Sequence, residues 1–345
     1  MPTKEDAKEM IVLSGDVGGT NTRLQLTKNV NGVTEAIVVK KYLAAEYKSL
    51  SDVIRRFLKE AKLGKEEIKA ASLAVAGPVK NGAIEFTNLP WAITEKELAE
   101  VLSLPLEKVK LINDFASIGY GLESLKTSEL VCLQQAPIDE NAPIVMVGAG
   151  TGLGMGVVTK VDGVTHVYPS EGGHQDFAPV NDEQIELFQF LKKKLHRVSI
   201  ERICCGPGLV NIYHYVVANP LYNQPESPEL RRDMHRGLDQ AQLITKYAIE
   251  KGDPMALRAL DIFISVYGAV AGNMALATLP RQGLYIVGGI APKLIDQIKD
   301  GRFINMFNDK GRMSGLMKEI PVYVVMNTDA GLNGAAKYAE MLCKK

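Results

Sequence analysis

Cysteine is scarce in this chain: Cys132, Cys204, Cys205 and Cys343 are the only four among 345 residues. So few argue against a disulfide framework. Cys204 and Cys205 are adjacent, where a bridge would be strained, so both read as reduced, structural residues. An excess of one charge is lacking too. Lys plus Arg and Asp plus Glu each number 40, which leaves a formal net charge of zero. Binding to nucleic acid or to an anionic membrane surface favours a basic excess, so neither partner is supported. No apolar run reads as long enough to span a bilayer. Residues Met1 to Met10 are charged and lack the apolar stretch of a signal peptide. The ending Leu342-Cys343-Lys344-Lys345 is not the peroxisomal tripeptide. The expectation is a cytoplasmic protein. No low-complexity segment or short-period repeat is visible.

What is present is ordinary in bulk and specific in pattern. Hydrophobic residues make up 46% and charged residues 23%, which suits a globular protein with a large core. The length points to two domains. The first third reads as strands at Ile11–Gly15, Thr22–Leu26 and Val33–Lys41. A helix at Ser51–Ala61 follows, with Val53, Ile54, Phe57 and Leu58 at helical spacing. Ala71–Ala76 and Val109–Ile112 read as buried strands, and Thr94 with Glu97 as a capping box opening a helix. The second part begins with strands at Ile144–Val147, Gly156–Thr159 and Val164–Tyr168. Helices are expected at Asp182–Leu195, Gly208–Val217, Asp239–Lys251 and Pro254–Leu279. Leu284–Val287 and Val322–Val325 are the last strands and Leu332–Met341 the last helix. Strands precede helices in each half, which suggests a duplicated α/β unit.

Glycine marks the same place in both halves. Gly15-Asp16-Val17-Gly18-Gly19-Thr20-Asn21-Thr22-Arg23 follows the apolar Ile11-Val12-Leu13. Gly148-Ala149-Gly150-Thr151-Gly152-Leu153-Gly154 follows Ile144-Val145-Met146-Val147. Each reads as strand, tight turn, strand, with backbone N–H groups free to point at anionic oxygens. A carboxylate beside such a cradle repels phosphate unless a cation intervenes. Mg²⁺ suits Asp16, because it keeps most of its waters and takes one or two carboxylates. The alternative is a plain hairpin turn with a capping Asp. The polar Thr20, Asn21 and Arg23, and the second loop downstream, favour phosphate. There is no Gly-Lys-Ser/Thr of a Walker loop, and a strand rather than a helix follows, unlike a Rossmann fingerprint.

Three further sites carry possible chemistry. Asp114 ends a buried strand next to Asn113, where α/β proteins collect catalytic groups. It can accept the proton of a hydroxyl under phosphoryl transfer, or simply cap a helix over Phe115–Tyr120, and the residues alone leave both open. Glu171-Gly172-Gly173-His174 places two polar hands across a sharp bend, suited to vicinal hydroxyls of a sugar. A satisfied turn histidine is the alternative, and no metal-ligand spacing accompanies it. Glu201, before the turn Gly206-Pro207-Gly208, reads on spacing as a solvated charge. The single tryptophan, Trp91, reads as core or hinge packing.

Taken in order, these motifs form a known pattern. The chain resembles the bacterial-type glucokinases of the sugar-kinase/Hsp70/actin superfamily, from Gly15 to about Ala339. The matching motifs are Gly15–Asn21, Thr87–Trp91, Ile112–Phe115, Gly150–Gly154, Glu171–His174, Gly206–Leu209 and Gly288–Ile290. Each is modest alone, and the ordered set is specific.

The resemblance implies an α/β fold of two actin-like (ribonuclease H-like) domains with an interdomain cleft. Their expected bounds are 1–113 with about 328–345, and 114–327. It implies that Asp16 positions Mg²⁺, through water, and that Gly18, Gly19, Thr20 and Asn21 line the phosphate site of ATP. Gly150, Thr151 and Gly152 would meet the phosphates from the other lobe, with Gly288 and Gly289 near the adenosine. Asn88, Asn113, Asp114, Glu171, His174 and Glu201 would bind glucose, and Asp114 would be the catalytic base for the 6-hydroxyl. Members are commonly homodimers. Many relatives have Ser where this chain has Cys205. Unlike the related ROK kinases, it has no cysteine cluster after the Glu-Gly-Gly-His motif. The expected activity is ATP-dependent phosphorylation of glucose to glucose 6-phosphate. Its rivals are a kinase for another hexose, a non-catalytic sugar sensor of the same fold, and an Hsp70- or actin-like ATPase.

Overall fold

Apolar residues on both faces of a strand call for a place in the middle of a sheet, and the Ile11-Val12-Leu13 run has one. The structure, a computed structural model, describes residues 10–31, 33–64, 67–77, 79–86, 91–222 and 224–344. Contacts divide them into two units. Unit 1 runs to Lys126 and includes Thr165–Val167 and the chain from Asn327 onward. Unit 2 comprises Thr127–Val164 and Tyr168–Met326.

Unit 1 opens with β1 (Met10–Val17), β2 (Asn21–Val30) and β3 (Val33–Leu43), followed by α1 (Leu50–Ala61) and β4 (Ile68–Val75). Next come β5 (Ala83–Glu85), β6 (Ala92–Thr94), α2 (Glu95–Leu102), β7 (Val109–Asn113) and α3 (Asp114–Gly121). The main sheet has the order β3-β2-β1-β4-β7. β1, β2 and β3 form the expected antiparallel meander, while β4 and β7 add in parallel beyond β1. Ser49 caps α1 by accepting from the Asp52 N–H at 3.2 Å, and Val53, Ile54, Phe57 and Leu58 form its buried face. Thr94 caps α2 through the Glu97 N–H at 3.0 Å, but Glu97 turns its carboxylate to the Ser51 hydroxyl instead of closing a capping box. Trp91 is core, 4% exposed.

Unit 2 contains β8 (Leu130–Gln134), β9 (Ile144–Ala149), β10 (Leu153–Val161), β11 (Val164–Ser170, apart from the Thr165–Val167 stretch that counts with unit 1), α4 (Asp182–Lys192) and α5 (Gly206–Ala218). It continues with α6 (Pro228–Met234), α7 (Gln240–Lys251), α8 (Pro254–Thr278), β12 (Gly283–Val287), α9 (Ile295–Lys299), α10 (Arg302–Asn308), α11 (Ser314–Met317) and β13 (Val322–Val325). Its sheet has the order β11-β10-β9-β12-β13-β8. The first five strands repeat the order of unit 1, a meander followed by two parallel strands. In each unit the glycine-rich turn joins the central strand to its hairpin partner. The duplication read from the sequence is therefore a duplication of topology. β8, which the sequence reading left unassigned, extends the second sheet antiparallel to β13.

One expectation needs correction. α8 is long and apolar enough, by length and composition, to cross a membrane. Most of it is buried within unit 2, where Phe263, Tyr267 and Ala271 belong to the core. Its apolar character, interrupted by the ion-paired Arg258 and Asp261, is that of a helix largely surrounded by protein.

The last helix, α12 (Ala330–Lys344), belongs to unit 1 and starts earlier than expected. Ala339 and Leu342 pack on Val12 of β1 and Ala70 of β4. It also crosses α3 closely. A Cβ at Gly334 would overlap the Ser117 carbonyl, and the Ser117 hydroxyl donates to the Gly331 carbonyl at 2.6 Å. Only glycine permits this approach, and it fixes the helix whose first residue is Asp114.

Candidate functional site

Within unit 1, parallel pairing sets Val17 beside Val75 and Val75 beside Asn113. The C-terminal ends of β1, β4 and β7 are thus level, and the residues that follow share one edge of the sheet, where α/β folds gather ligands. The turn after β1 is closed by the Gly18 N–H donating to the Asn21 carbonyl at 3.0 Å. The Ala44 N–H donates to the Thr20 carbonyl at 2.9 Å. Asp16 lies opposite Arg23 in the hairpin, and Arg23 holds Asp329 through a 2.7 Å ion pair. Burial raises the Asp16 pKa above the ordinary value; Arg23 pulls it down and Asp329 pushes it up. Arg23 was legible in the sequence as a polar residue of the phosphate turn, but its partner Asp329 was not, because the two lie 306 positions apart.

Asp114 is not the cap of α3. Asn113 is, its side-chain oxygen accepting the Ala116 N–H at 3.0 Å. The other end of the Asn113 amide donates to the Gly77 carbonyl at 3.4 Å and to Asp114 Oδ1 at 3.1 Å. Asp114 Oδ1 also accepts the Phe115 N–H at 2.8 Å. One oxygen is thereby fixed while the carboxyl has no cationic partner among the described residues. Burial raises its pKa, the Phe115 N–H partly offsets this, and the nearby Asp16 charge raises it further. The two carboxylates therefore stand within electrostatic reach of each other.

A divalent cation fits this edge. Asn21 Oδ1 is buried and has no hydrogen-bond partner among the described residues, so the turn offers an unused acceptor near Asp16. Among the described residues no group of three or more His, Cys, Asp and Glu could hold a metal. A cation here would draw most of its ligands from water and phosphate, which is the habit of Mg²⁺.

Within unit 2 the hairpin turn from β9 to β10 is closed by the Gly150 N–H donating to the Gly152 carbonyl at 2.8 Å. Gly150, Thr151 and Gly289 line one cavity of about 980 Å³. Asn211, Gln242, Lys246 and Lys293, with the acidic Asp239 and Glu250, add to its polar wall. The volume is suited to a nucleotide-sized ligand. Gly288 sits against the Ala149 carbonyl rather than in this wall. Sequence reading missed Asn211, Gln242, Lys246 and Lys293. They come from α5, α7 and the turn after β12, and no local motif links them.

The sugar-side residues of unit 2 also converge. Glu171 begins a single 3-10 turn over Gly172–His174. His174 Nε2 is 3.9 Å from Glu171 Oε2, and His174 Nδ1 is 4.0 Å from Glu201 Oε1. All three carry polar atoms to one face, and Glu171 and His174 are exposed. Glu201 corrects the spacing argument: it is no solvated charge. Its Oε2 accepts the Leu153 N–H at 2.9 Å. A Cβ on Gly152 would come within 2.6 Å of that same oxygen, so the loop glycine makes room for the carboxylate. Cys204 and Cys205 are buried free thiols. Asn88 lies outside the described residues.

Comparison with known proteins agrees with this architecture. The family pattern described as Glucokinase matches residues 13–342. A glucokinase of Nostoc sp. is 40% identical over 96% of this chain and 99% of its own length. The crystal structure of a glucokinase from an Antarctic psychrotroph superposes with a TM-score of 0.83 at 30% identity, covering 96% of this chain and 99% of the other. A ROK family glucokinase from Streptomyces griseus, solved in complex with glucose and AMPPNP, shares the fold at a TM-score of 0.60 and 18% identity, over 96% of this chain and 99% of its own.

Proposed function

The chain belongs to the glucokinase family, and from that premise we propose how its residues carry a phosphoryl group from ATP to the 6-hydroxyl of glucose. Phosphorylation of glucose by a sugar kinase, with ATP as donor, comes with the family. The residue roles rest on chemistry. The observation that carries them is Asp114, a half-buried carboxyl with one oxygen tied to the Phe115 N–H and no cationic partner among the described residues. Such a group can accept a proton at its other oxygen.

In the proposed reaction the 6-oxygen of glucose bonds to the γ-phosphorus while the bridging P–O bond to ADP breaks. The hydroxyl proton passes to Asp114. Strong basicity is not needed, because a loose transition state leaves most of the work to positioning and charge neutralisation. Mg²⁺, when bound with ATP, supplies that neutralisation; Asp16, through water, and Asn21 are the residues to hold it. Gly19 and Thr20 of one unit, in the turn that the Gly18 N–H closes, and Thr151 and Gly152 of the other, in the turn that the Gly150 N–H closes, present backbone N–H groups to the phosphates. The base and ribose take the cavity reaching Gly289, with Gly288 behind it. Glu171, His174 and Glu201 hold sugar hydroxyls, Asn88 is a further contact, and Asn113 orients Asp114. Closure of the two domains around both substrates excludes water as a competing nucleophile. The same reading includes a cytoplasmic homodimer, which sedimentation would check.

The test is ATP consumption with Mg²⁺ against glucose, mannose, fructose, glucosamine and N-acetylglucosamine, with a no-sugar control. Turnover confined largely to glucose is expected. Turnover without sugar, or with none of the sugars, would overturn the reading.

A further inference from the structure

The segment Ser199–Gly206 of unit 2 is fastened at three places that the proposed mechanism treats separately. At its start the Ile200 N–H donates to the carbonyl of Gln175, the residue after His174, at 2.8 Å. In its middle Glu201 accepts the Leu153 N–H at 2.9 Å and faces His174. At its end the Gly206 N–H donates to the Gly150 carbonyl at 2.8 Å. One short strap therefore joins the sugar-side turn to both ends of the glycine loop.

The strap is also closed on itself, by Cys205. The Cys205 thiol donates to the Glu201 carbonyl at 2.9 Å. The same sulfur accepts the Gly208 N–H at 3.3 Å and so caps α5. The donor role needs the proton, and the thiol keeps it: burial pushes its pKa up to about 11. At 2% exposure it is also shielded from reagents.

We propose that the Ser199–Gly206 strap couples glucose binding to nucleotide binding, and that Cys205 is the positioning residue that holds it taut. The inference rests on the kinase reading above. A sugar that orders Glu201 and His174 orders Leu153 and Gly206 with them, and hence the Gly150–Gly152 turn before the nucleotide arrives. By linkage the effect is reciprocal.

The test is the affinity for glucose, by fluorescence or calorimetry, with and without a saturating non-hydrolysable ATP analogue. The intact protein is compared with Cys205→Ala, Cys205→Ser and, as a control on an exposed thiol, Cys132→Ser. The analogue is expected to tighten glucose binding by roughly 5-fold or more in the intact protein. Cys205→Ala should bring that factor close to one, while Cys205→Ser, which keeps a donor and an acceptor, restores it. A residue that merely stabilises α5 would change melting temperature and leave the factor alone. An unchanged factor in Cys205→Ala, or no coupling in an intact protein that turns over glucose, overturns the inference and spares the kinase reading. Absence of glucose-dependent turnover in the intact protein overturns both. Should Cys205→Ala fail to fold, amide exchange in the unaltered protein decides. Glucose alone should slow exchange at both Leu153 and Gly206, and no change at Gly206 contradicts the strap.

Discussion

Asp114 shows at the scale of one residue how a site and a fold pull apart. Its ionised carboxyl is what the proposed chemistry uses, yet burial and the Asp16 charge favour the protonated form. The sign of the linkage follows. A carboxyl whose pKa is higher folded than unfolded destabilises the fold once ionised. That penalty is absent below the unfolded value, grows as pH rises through it, and is complete above the folded value. Asp114→Asn, which can still accept the Phe115 N–H, is therefore expected to melt at a higher temperature than the unaltered protein at pH 7. The gap should close as pH falls through the ordinary Asp range. A gap that does not vary with pH would contradict this account of the residue. Activity should follow the opposite limb and decline as pH falls through the raised Asp114 value. The motif Ile112–Phe115 made Asp114 legible as a candidate. It could not tell base from cap, because that choice depends on which of two neighbouring side chains turns back to Ala116, and it is Asn113 that does. Glu201 was misread for a similar reason: its partner, the Leu153 N–H, lies 48 positions away.

At the scale of elements, hairpins and helices were the most legible part of the chain. Apolar runs ending in glycine gave both central hairpins, and caps at Ser49, Thr94, Asp239 and Asp253 start helices near where they were expected. What stayed hidden was packing between elements. Nothing local in Ala330–Lys344 says that it lies on β1 and crosses α3. Two outcomes belong here. Gly334→Ala drives a methyl into the Ser117 carbonyl, so α3 must shift. A stability loss of about 1–3 kcal/mol is expected on chemical denaturation, and kcat should fall more than KM for glucose rises. Unaltered kcat would mean that the crossing does not position Asp114. Gly152→Ala presses on the Glu201 carboxylate, so KM for glucose should rise although the substituted residue sits in the nucleotide loop. Equal KM values for the variant and the parent would contradict that reading of the loop.

At the scale of the whole molecule, the repeated order of five strands is the main finding about architecture. Sequence suggested duplication from two glycine turns, and the matching meander and parallel pairs in both sheets supply the rest. The edge strand β8 escaped because Leu130–Gln134 is short: its four-residue apolar run, Leu130–Leu133, has no alternation, and periodicity cannot tell so short a run from a buried helical turn. A ligand held by the folded state alone raises its stability by mass action, about 2.7 kcal/mol at a hundredfold excess over Kd. Glucose should therefore raise the melting temperature, and mannitol, an open-chain polyol, should not.

The central claim is that Asp114 accepts the proton while other residues hold the sugar. The most direct measurement is turnover of Asp114→Asn set beside its glucose affinity. The account expects kcat lower by roughly 10²–10⁴ with glucose still bound. Near-normal turnover in a variant that binds glucose would contradict it.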